Sequence, residues 1–135
     1  MKCVLAVCAD SAALDRSSNK VSLFAINDGI STLTFPYVLP SLAILFILRK
    51  EKGDRSNAKG EVELFFQPAS GDSAEISKGK SPIRFDFEGT PKLRILIRTE
   101  GIAIDQTGTL IARIFHKKTV IGEWAMPVAV KKINK

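Results

Sequence analysis

The sequence predicts an all-β domain, most simply an antiparallel β-sandwich of two packed sheets with about eight strands. Two observations support this fold class. Apolar and polar side chains alternate with a period of two along most of the chain, which is typical of half-buried strands. Clusters of Gly, Asn, Asp, Ser and Pro interrupt the alternation at short intervals, as in immunoglobulin-like or related Greek-key sandwiches. A closed β-barrel is the alternative.

The first 26 residues predict two strands. Residues 2–9 are mostly apolar, and Asp10 is expected to end the strand. The apolar run is short for a signal peptide, so a β-strand is the preferred interpretation. A polar turn at 15–19 leads into the second strand at 20–26, which alternates cleanly.

The next segment predicts a connector followed by a fully covered strand. Residues 35–40 contain Pro36 and Pro40, which lack a backbone N–H, so an extended linker is expected there and not a central strand. Residues 41–50 are apolar on both faces. This pattern indicates a central strand covered on both sides, or one whose outer face meets a partner.

The second half of the chain predicts a series of short strands. After a charged loop at 51–60, residues 61–67 alternate with Val62, Leu64 and Phe66 pointing inward. Residues 68–82 form a long polar stretch with weak strand character. Further strands are expected at residues 83–88, 92–98, 102–104, 109–116 and 120–130.

Length and cysteine content predict one domain spanning residues 1–135, placed in the cytoplasm. A chain of 135 residues with 45% apolar side chains has enough material for one core. Cys3 and Cys8 are an odd number of positions apart, which on a regular strand places them on opposite faces. We therefore expect two reduced thiols, as in cytosolic proteins, and a fold that needs no disulfide or metal.

The positive charge is concentrated in the last third of the chain. The net charge is +6, and residues 91–135 carry nine basic and three acidic side chains. Such a segment can bind nucleic acid, anionic lipid or an acidic protein partner, or it can be a solvated face that protects sheet edges. The solvated face is preferred, because no aromatic platform accompanies the charge. The candidate anion-binding residues are Lys92, Arg94, Arg98, Arg113, Lys117 and Lys118.

Apolar side chains on otherwise polar strand faces predict an interaction patch. Monomers rarely leave a large apolar patch open to water, so a protein partner or a second copy of the chain is expected to cover it. The favoured function is therefore a non-enzymatic protein-interaction module, with self-association as one form of it, and the electrostatic binder is the alternative. The candidate patch residues are Leu45, Ile47, Phe65, Leu96, Ile111 and Phe115.

No chemical motif in the sequence predicts catalysis, and we expect no cofactor. The single histidine, His116, lies in a Lys-rich turn, and nothing in the pattern places a nucleophile beside it. One histidine and two separated cysteines do not make a zinc site, so no metal is expected. The carboxylate pair Glu61 and Glu63 is explained by a solvated strand face. No apolar run has the length of a membrane span.

Several motifs resemble a family of small bacterial all-β proteins that is uncharacterised. The residues that carry the resemblance at the start are Asn19-Lys20-Val21-Ser22-Leu23-Phe24, Ile26-Asn27-Asp28-Gly29-Ile30 and the Phe35-Pro36 … Leu39-Pro40 connector. At the end they are Gly108-Thr109-Leu110-Ile111-Ala112-Arg113 and Gly122-Glu123-Trp124-Ala125-Met126-Pro127-Val128. The resemblance implies a bacterial source and an all-β domain. It implies no activity and no site residue.

Overall fold

The structure of the protein, a computed structural model, describes residues 1–71 and 74–131. Within these residues the chain forms nine strands and no helix, so none that could cross a membrane is found there. Residues 72–73, in the predicted polar stretch, and residues 132–135, at the end of the predicted domain, lie outside the described residues. The strands are β1 (Lys2–Asp15), β2 (Lys20–Ile26), β3 (Ile30–Thr32), β4 (Tyr37–Arg49), β5 (Asn57–Pro68), β6 (Ile76–Asp86), β7 (Lys92–Ile104), β8 (Gly108–His116) and β9 (Thr119–Val130).

The strands form a two-sheet sandwich, which confirms the predicted fold class. One sheet has four strands in the order β2-β1-β4-β7, and the other has five in the order β3-β9-β8-β5-β6. Neighbouring strands are antiparallel except β3 and β9, which pair in parallel. Each strand of the described residues belongs to one sheet only, so the alternative of a single closed barrel is wrong.

One apolar core fills the space between the two sheets. Phe46 of β4, Phe66 of β5 and Phe85 of β6 are each completely buried in it. Val62 and Leu64 point inward beside Phe66, as the alternation of β5 predicts. Burying one such side chain contributes roughly 1.5–3 kcal/mol, so this inward row fixes the register of the strand.

The linker predicted at residues 35–40 is wrong from Tyr37 onward, because β4 already begins there. From Tyr37 to Ser41 this strand pairs with β7 alone, since the pairing of β1 with β4 ends at Ala43. Pro40 therefore lies where the strand has one free side, and its missing N–H is tolerated there as it is on an edge strand.

Two further predicted boundaries are wrong for a related reason. The polar stretch predicted at residues 68–82 contains the first half of β6, which begins at Ile76 and pairs only with β5. An edge strand tolerates polar side chains on both faces, and also Pro82, so it lacks clean alternation. The two strand pieces predicted on either side of Gly101 are one strand, β7, at an edge of the other sheet.

The two cysteines both pack against the core, although their spacing predicts opposite faces. The pairing of β1 with β4 shifts by one residue between Cys3 and Leu5. A bulge of this kind reverses the alternation of faces, so both side chains point inward. Both are free thiols.

The first strand continues well past Asp10, which was expected to end it. Its first half pairs with β4 and its second half with β2, and the two pairings overlap only at Ala9. Residues 10–26, which we call the β1–β2 hairpin, are therefore not held in the plane of the four-stranded sheet. The hairpin can therefore lie over the outer face of that sheet.

Candidate interaction surface

A second buried apolar layer lies on the outer face of the four-stranded sheet. Leu45 and Leu96 are direct partners on β4 and β7, and the core residues Phe46 and Ile95 beside them face the other way. Leu45 nevertheless has only 4% of its surface exposed, and its partner on β1, Val7, has 6%. Neither Leu45 nor Val7 belongs to the core cluster between the sheets. Something must therefore cover them from outside.

The β1–β2 hairpin covers this outer face. Arg94 of β7 donates hydrogen bonds to the backbone oxygen of Asn19 at 3.0 Å and to its side-chain oxygen at 2.9 Å. Arg98 donates one to the backbone oxygen of Ala12 at 3.4 Å. Because β4 lies between β1 and β7, the hairpin reaches both arginines only by crossing the outer side of β4.

This cover corrects part of the predicted interaction patch. Leu45 cannot contribute to an open surface, because the protein's own hairpin removes it from water. Ile47 and Leu96 are half-buried on the same face. The sequence shows that both faces of β4 are apolar. The element that covers the outer face is the β1–β2 hairpin of the same chain and not a separate partner.

The rest of the predicted patch lies on the outer face of the five-stranded sheet. Phe65 of β5 pairs with Ile111 of β8, and Phe115 lies further along β8 opposite Glu61. The rings of Phe65 and Phe115 meet edge to face, with centroids 6.1 Å apart and an angle of 66° between their planes. All three apolar side chains are half-buried. The two rings line an open groove of about 490 Å³.

Arg113 is fixed against the Phe65 ring and is not available as a free cation. Its guanidinium lies 5.0 Å from the ring centroid, an arrangement that attracts a cation to the aromatic face. It also forms ion pairs with Glu75 at 2.7 Å and Glu123 at 3.0 Å. Glu75 raises the pKa of Arg113, and Arg113 lowers the pKa of Glu75, each mainly through this hydrogen bond.

Three lysines border one end of the groove. Lys59, Lys117 and Lys118 line it together with the phenylalanines, and Lys59 and Lys117 also line an adjoining groove of about 410 Å³. None of the three forms an ion pair with an acidic residue of the described chain. Lys59 was missed from the sequence, because it was assigned to a charged loop and not to β5.

The six predicted anion-binding residues do not form one face. Lys92, Arg94 and Arg98 lie on β7 in the four-stranded sheet, and the two arginines are bound to the hairpin. Arg113, Lys117 and Lys118 lie on or beside β8 in the other sheet. Proximity in sequence does not bring them together, because β7 and β8 belong to different sheets. Of the six, Lys117 and Lys118 line the groove beside Phe65 and Phe115.

The side chains with catalytic potential are held in structural contacts. His116 packs edge to face against Phe85, with ring centroids 5.5 Å apart. Burial raises the pKa of the Cys8 thiol to about 12, so it stays a poor nucleophile, and burial also raises the pKa of Cys3. Glu61 forms an ion pair with Lys80 at 3.2 Å. In residues 1–71 and 74–131, no group of three or more His, Cys, Asp or Glu side chains is arranged to hold a metal ion.

Comparisons with known proteins add little to this geometry. No protein-family profile matches the chain, and no curated protein matches it. Among solved structures, the chain is similar to superoxide reductase (neelaredoxin) from Ignicoccus hospitalis, with 10% sequence identity over 75% of this chain and 74% of that one. The TM-score is 0.37, too low to support an inference about activity. The resemblance to a bacterial family stays a prediction.

Proposed function

We propose that the protein is a non-enzymatic protein-interaction module that binds its partner with the outer face of the five-stranded sheet. One observation carries the proposal. The chain uses its own hairpin to cover the outer apolar face of one sheet, and it leaves the outer aromatic face of the other sheet beside an open groove. We call this open face, formed by Phe65, Ile111 and Phe115 with the bordering lysines, the Phe face.

The composition of the Phe face suits protein recognition. Interfaces combine a central aromatic or aliphatic cluster with a polar rim, and aromatic side chains are enriched among the residues that contribute most binding energy. Phe65 and Phe115 form such a centre, and charged side chains of β5 and the β8–β9 turn surround it.

Photo-crosslinking from the groove tests the proposal. Phe115→p-benzoylphenylalanine places a photoreactive ring in the groove, and Phe24→p-benzoylphenylalanine is the matched control, because Phe24 is 53% exposed on the hairpin and away from the groove. We expect discrete crosslinked species only from position 115, and their loss when Phe65→Ser is added. Equal crosslinking from both positions, or none from position 115, would overturn the proposal.

Light scattering then distinguishes two kinds of partner. A dimer mass at micromolar concentration that returns to the monomer mass with Phe65→Ser would identify the partner as a second copy. A monomer mass that accompanies crosslinking from position 115 would indicate a different protein. Either result agrees with the proposed function.

Binding of nucleic acid is the second candidate function. The observation that favours it is the position of Lys59, Lys117 and Lys118, without acidic partners in the described chain, beside the exposed edge of Phe115. Single-strand binders combine cations with aromatic rings in this way. Affinity for a (dT)20 oligonucleotide that falls steeply with salt would support this function. Absent or salt-independent binding would exclude it.

A further inference from the structure

The groove beside Phe65 and Phe115 and the adjoining groove meet at the β8–β9 turn. Lys59 and Lys117 line both grooves, and Lys118 lines the one on the Phe face. Among the described residues, none of the three forms an ion pair. Arg113 is held by Glu75 and Glu123, whereas these lysines have no acidic partner within the described chain.

The backbone of this turn is unusual for lysine. Lys117 has a φ of 52° and Lys118 a φ of 64°, so two consecutive residues with a β-carbon adopt the left-handed conformation. Two-residue hairpin turns of this shape strongly prefer Asn-Gly or Asp-Gly, because those residues tolerate positive φ. Strained backbone of this kind concentrates at binding sites. The turn is therefore less stable than an Asn-Gly or Asp-Gly turn would be, and it places two ammonium groups at the groove.

The other charges of the groove limit what can bind there. Glu61 and Glu63 also line it, so a continuous polyanion that crossed the Phe face would meet two carboxylates. Arg113 covers the Phe65 ring, which leaves that face of the ring unavailable for stacking with a nucleobase. Both features favour a ligand whose negative charge is confined to one end.

We propose that the partner of the Phe face is an acidic peptide segment that carries an aromatic or large aliphatic side chain. Its carboxylates lie against Lys59, Lys117 and Lys118, and the apolar side chain packs in the groove against the contacting rings of Phe65 and Phe115. The charge complementarity extends to the whole molecule, because a net charge of +6 attracts an acidic partner and repels a second copy. This inference rests on the proposed function and specifies its partner.

Selection from a displayed library of random peptides tests the inference, because such a library samples many combinations of acidic and apolar side chains. The full chain is the target. We expect enriched peptides to contain Asp or Glu within a few positions of an aromatic or large aliphatic residue. A synthetic peptide of the enriched sequence, and its version with Asn and Gln in place of Asp and Glu, then serve as the probes for fluorescence anisotropy.

Three variants locate the binding site. The double variant K117N/K118G removes both ammonium groups and supplies the residues that the turn prefers, so its thermal midpoint should equal or exceed that of the parent. We expect it to weaken the acidic peptide about tenfold or more, and K59Q to weaken it less. K92Q, a change of an exposed lysine on the other sheet, is the matched control and should leave affinity unchanged.

The failures of the two proposals are distinguishable. Peptides that need Phe115 but lack carboxylates, or bind K117N/K118G as tightly as the parent, would overturn the inference and leave the proposed function standing. A dimer mass that depends on Phe65 would also overturn the inference and leave the proposed function standing. The enrichment of no peptide would also overturn the inference alone. Peptides that tolerate Phe115→Ser in a folded protein would overturn both. Tighter lysine-dependent binding of (dT)20 than of any acidic peptide would replace both with the second candidate function.

Discussion

The guanidinium of Arg94 holds the turn residue Asn19 through two hydrogen bonds, one to its backbone oxygen and one to its side-chain oxygen. The two residues lie on β7 and at the tip of the β1–β2 hairpin, at opposite sides of the four-stranded sheet in hydrogen-bonding order. This clamp keeps the hairpin over Leu45. It therefore decides which of the two outer faces is available to a partner.

Loss of the clamp is expected to loosen the hairpin. Arg94→Ala removes both hydrogen bonds to Asn19 and should lower the free energy of unfolding by about 1 kcal/mol. Hydrogen exchange of the β1–β2 hairpin should become faster than in the parent. Lys92→Ala, on the same strand, is the control and should change neither quantity. Unchanged exchange in Arg94→Ala would show that the apolar contacts alone hold the hairpin.

Leu45 is expected to behave as a core residue although it lies on an outer face. Leu45→Ala should lower the free energy of unfolding by about 2–5 kcal/mol, because the hairpin and the sheet would enclose the cavity that it leaves. Val38→Ala on the same strand, where the side chain is 55% exposed, should change it by less than about 0.5 kcal/mol. Urea unfolding measures both. A small effect at Leu45 would mean that the hairpin is not closed in solution.

A glycine substitution in the β8–β9 turn is expected to stabilise the protein. Lys118→Gly relieves positive φ at a residue with a β-carbon and should raise the free energy of unfolding by about 1 kcal/mol. Lys92→Gly places glycine at the first residue of β7, where φ is not positive, so it should not raise stability and should lower it by at most about 0.5–1 kcal/mol. Denaturant midpoints compare the two. A loss of stability in Lys118→Gly would remove the argument that the turn is strained.

The Cys8 thiol is expected to make stability fall at high pH. Its pKa is about 12 in the folded chain against 9.0 for a free thiol, so between these values the unfolded chain loses a proton that the folded chain keeps. The contribution is therefore complete below pH 9 and is lost as the pH rises toward 12. Cys8→Ala should show a shallower decline over this range. Parallel stability curves for parent and variant would contradict the prediction.

The same burial predicts the reactivity of both thiols. At a pH of about 8, Cys8 should resist a thiol reagent in the native protein and react after unfolding in urea, because only the thiolate is nucleophilic. Cys3, which is half-buried, should react in the native protein faster than Cys8 but more slowly than it does after unfolding. Mass spectrometry of the alkylated peptides reports the two sites separately.

The parts of the structure that were predictable are those fixed by local alternation. The β2 strand has the boundaries that its pattern predicts, and the inward row of β5 is confirmed residue by residue. Pro40 misled the prediction, because the rule that excludes proline from a strand depends on how many neighbours the strand has at that point. That number is a property of the sheet and not of the segment.

The candidate site was predictable only in part. Phe65, Ile111 and Phe115 are identifiable because they interrupt a polar face. Leu45 was assigned to the same patch, because no local pattern shows that residues near 12 and 19 fold over β4. The basic residues of β7 and β8 are close in sequence, yet their strands belong to opposite sheets. Lys59 completes the site from a segment with no obvious strand pattern.

The hairpin clamp also has a consequence for synthesis of the chain on the ribosome. The β1–β2 hairpin emerges before β4 and β7, and the arginines that hold it come at positions 94 and 98. Until then neither arginine is present to hold the hairpin over Val7 and Leu45. We therefore expect nascent chains that stop short of β7 to recruit chaperones that bind apolar segments, and chains that include β7 to release them.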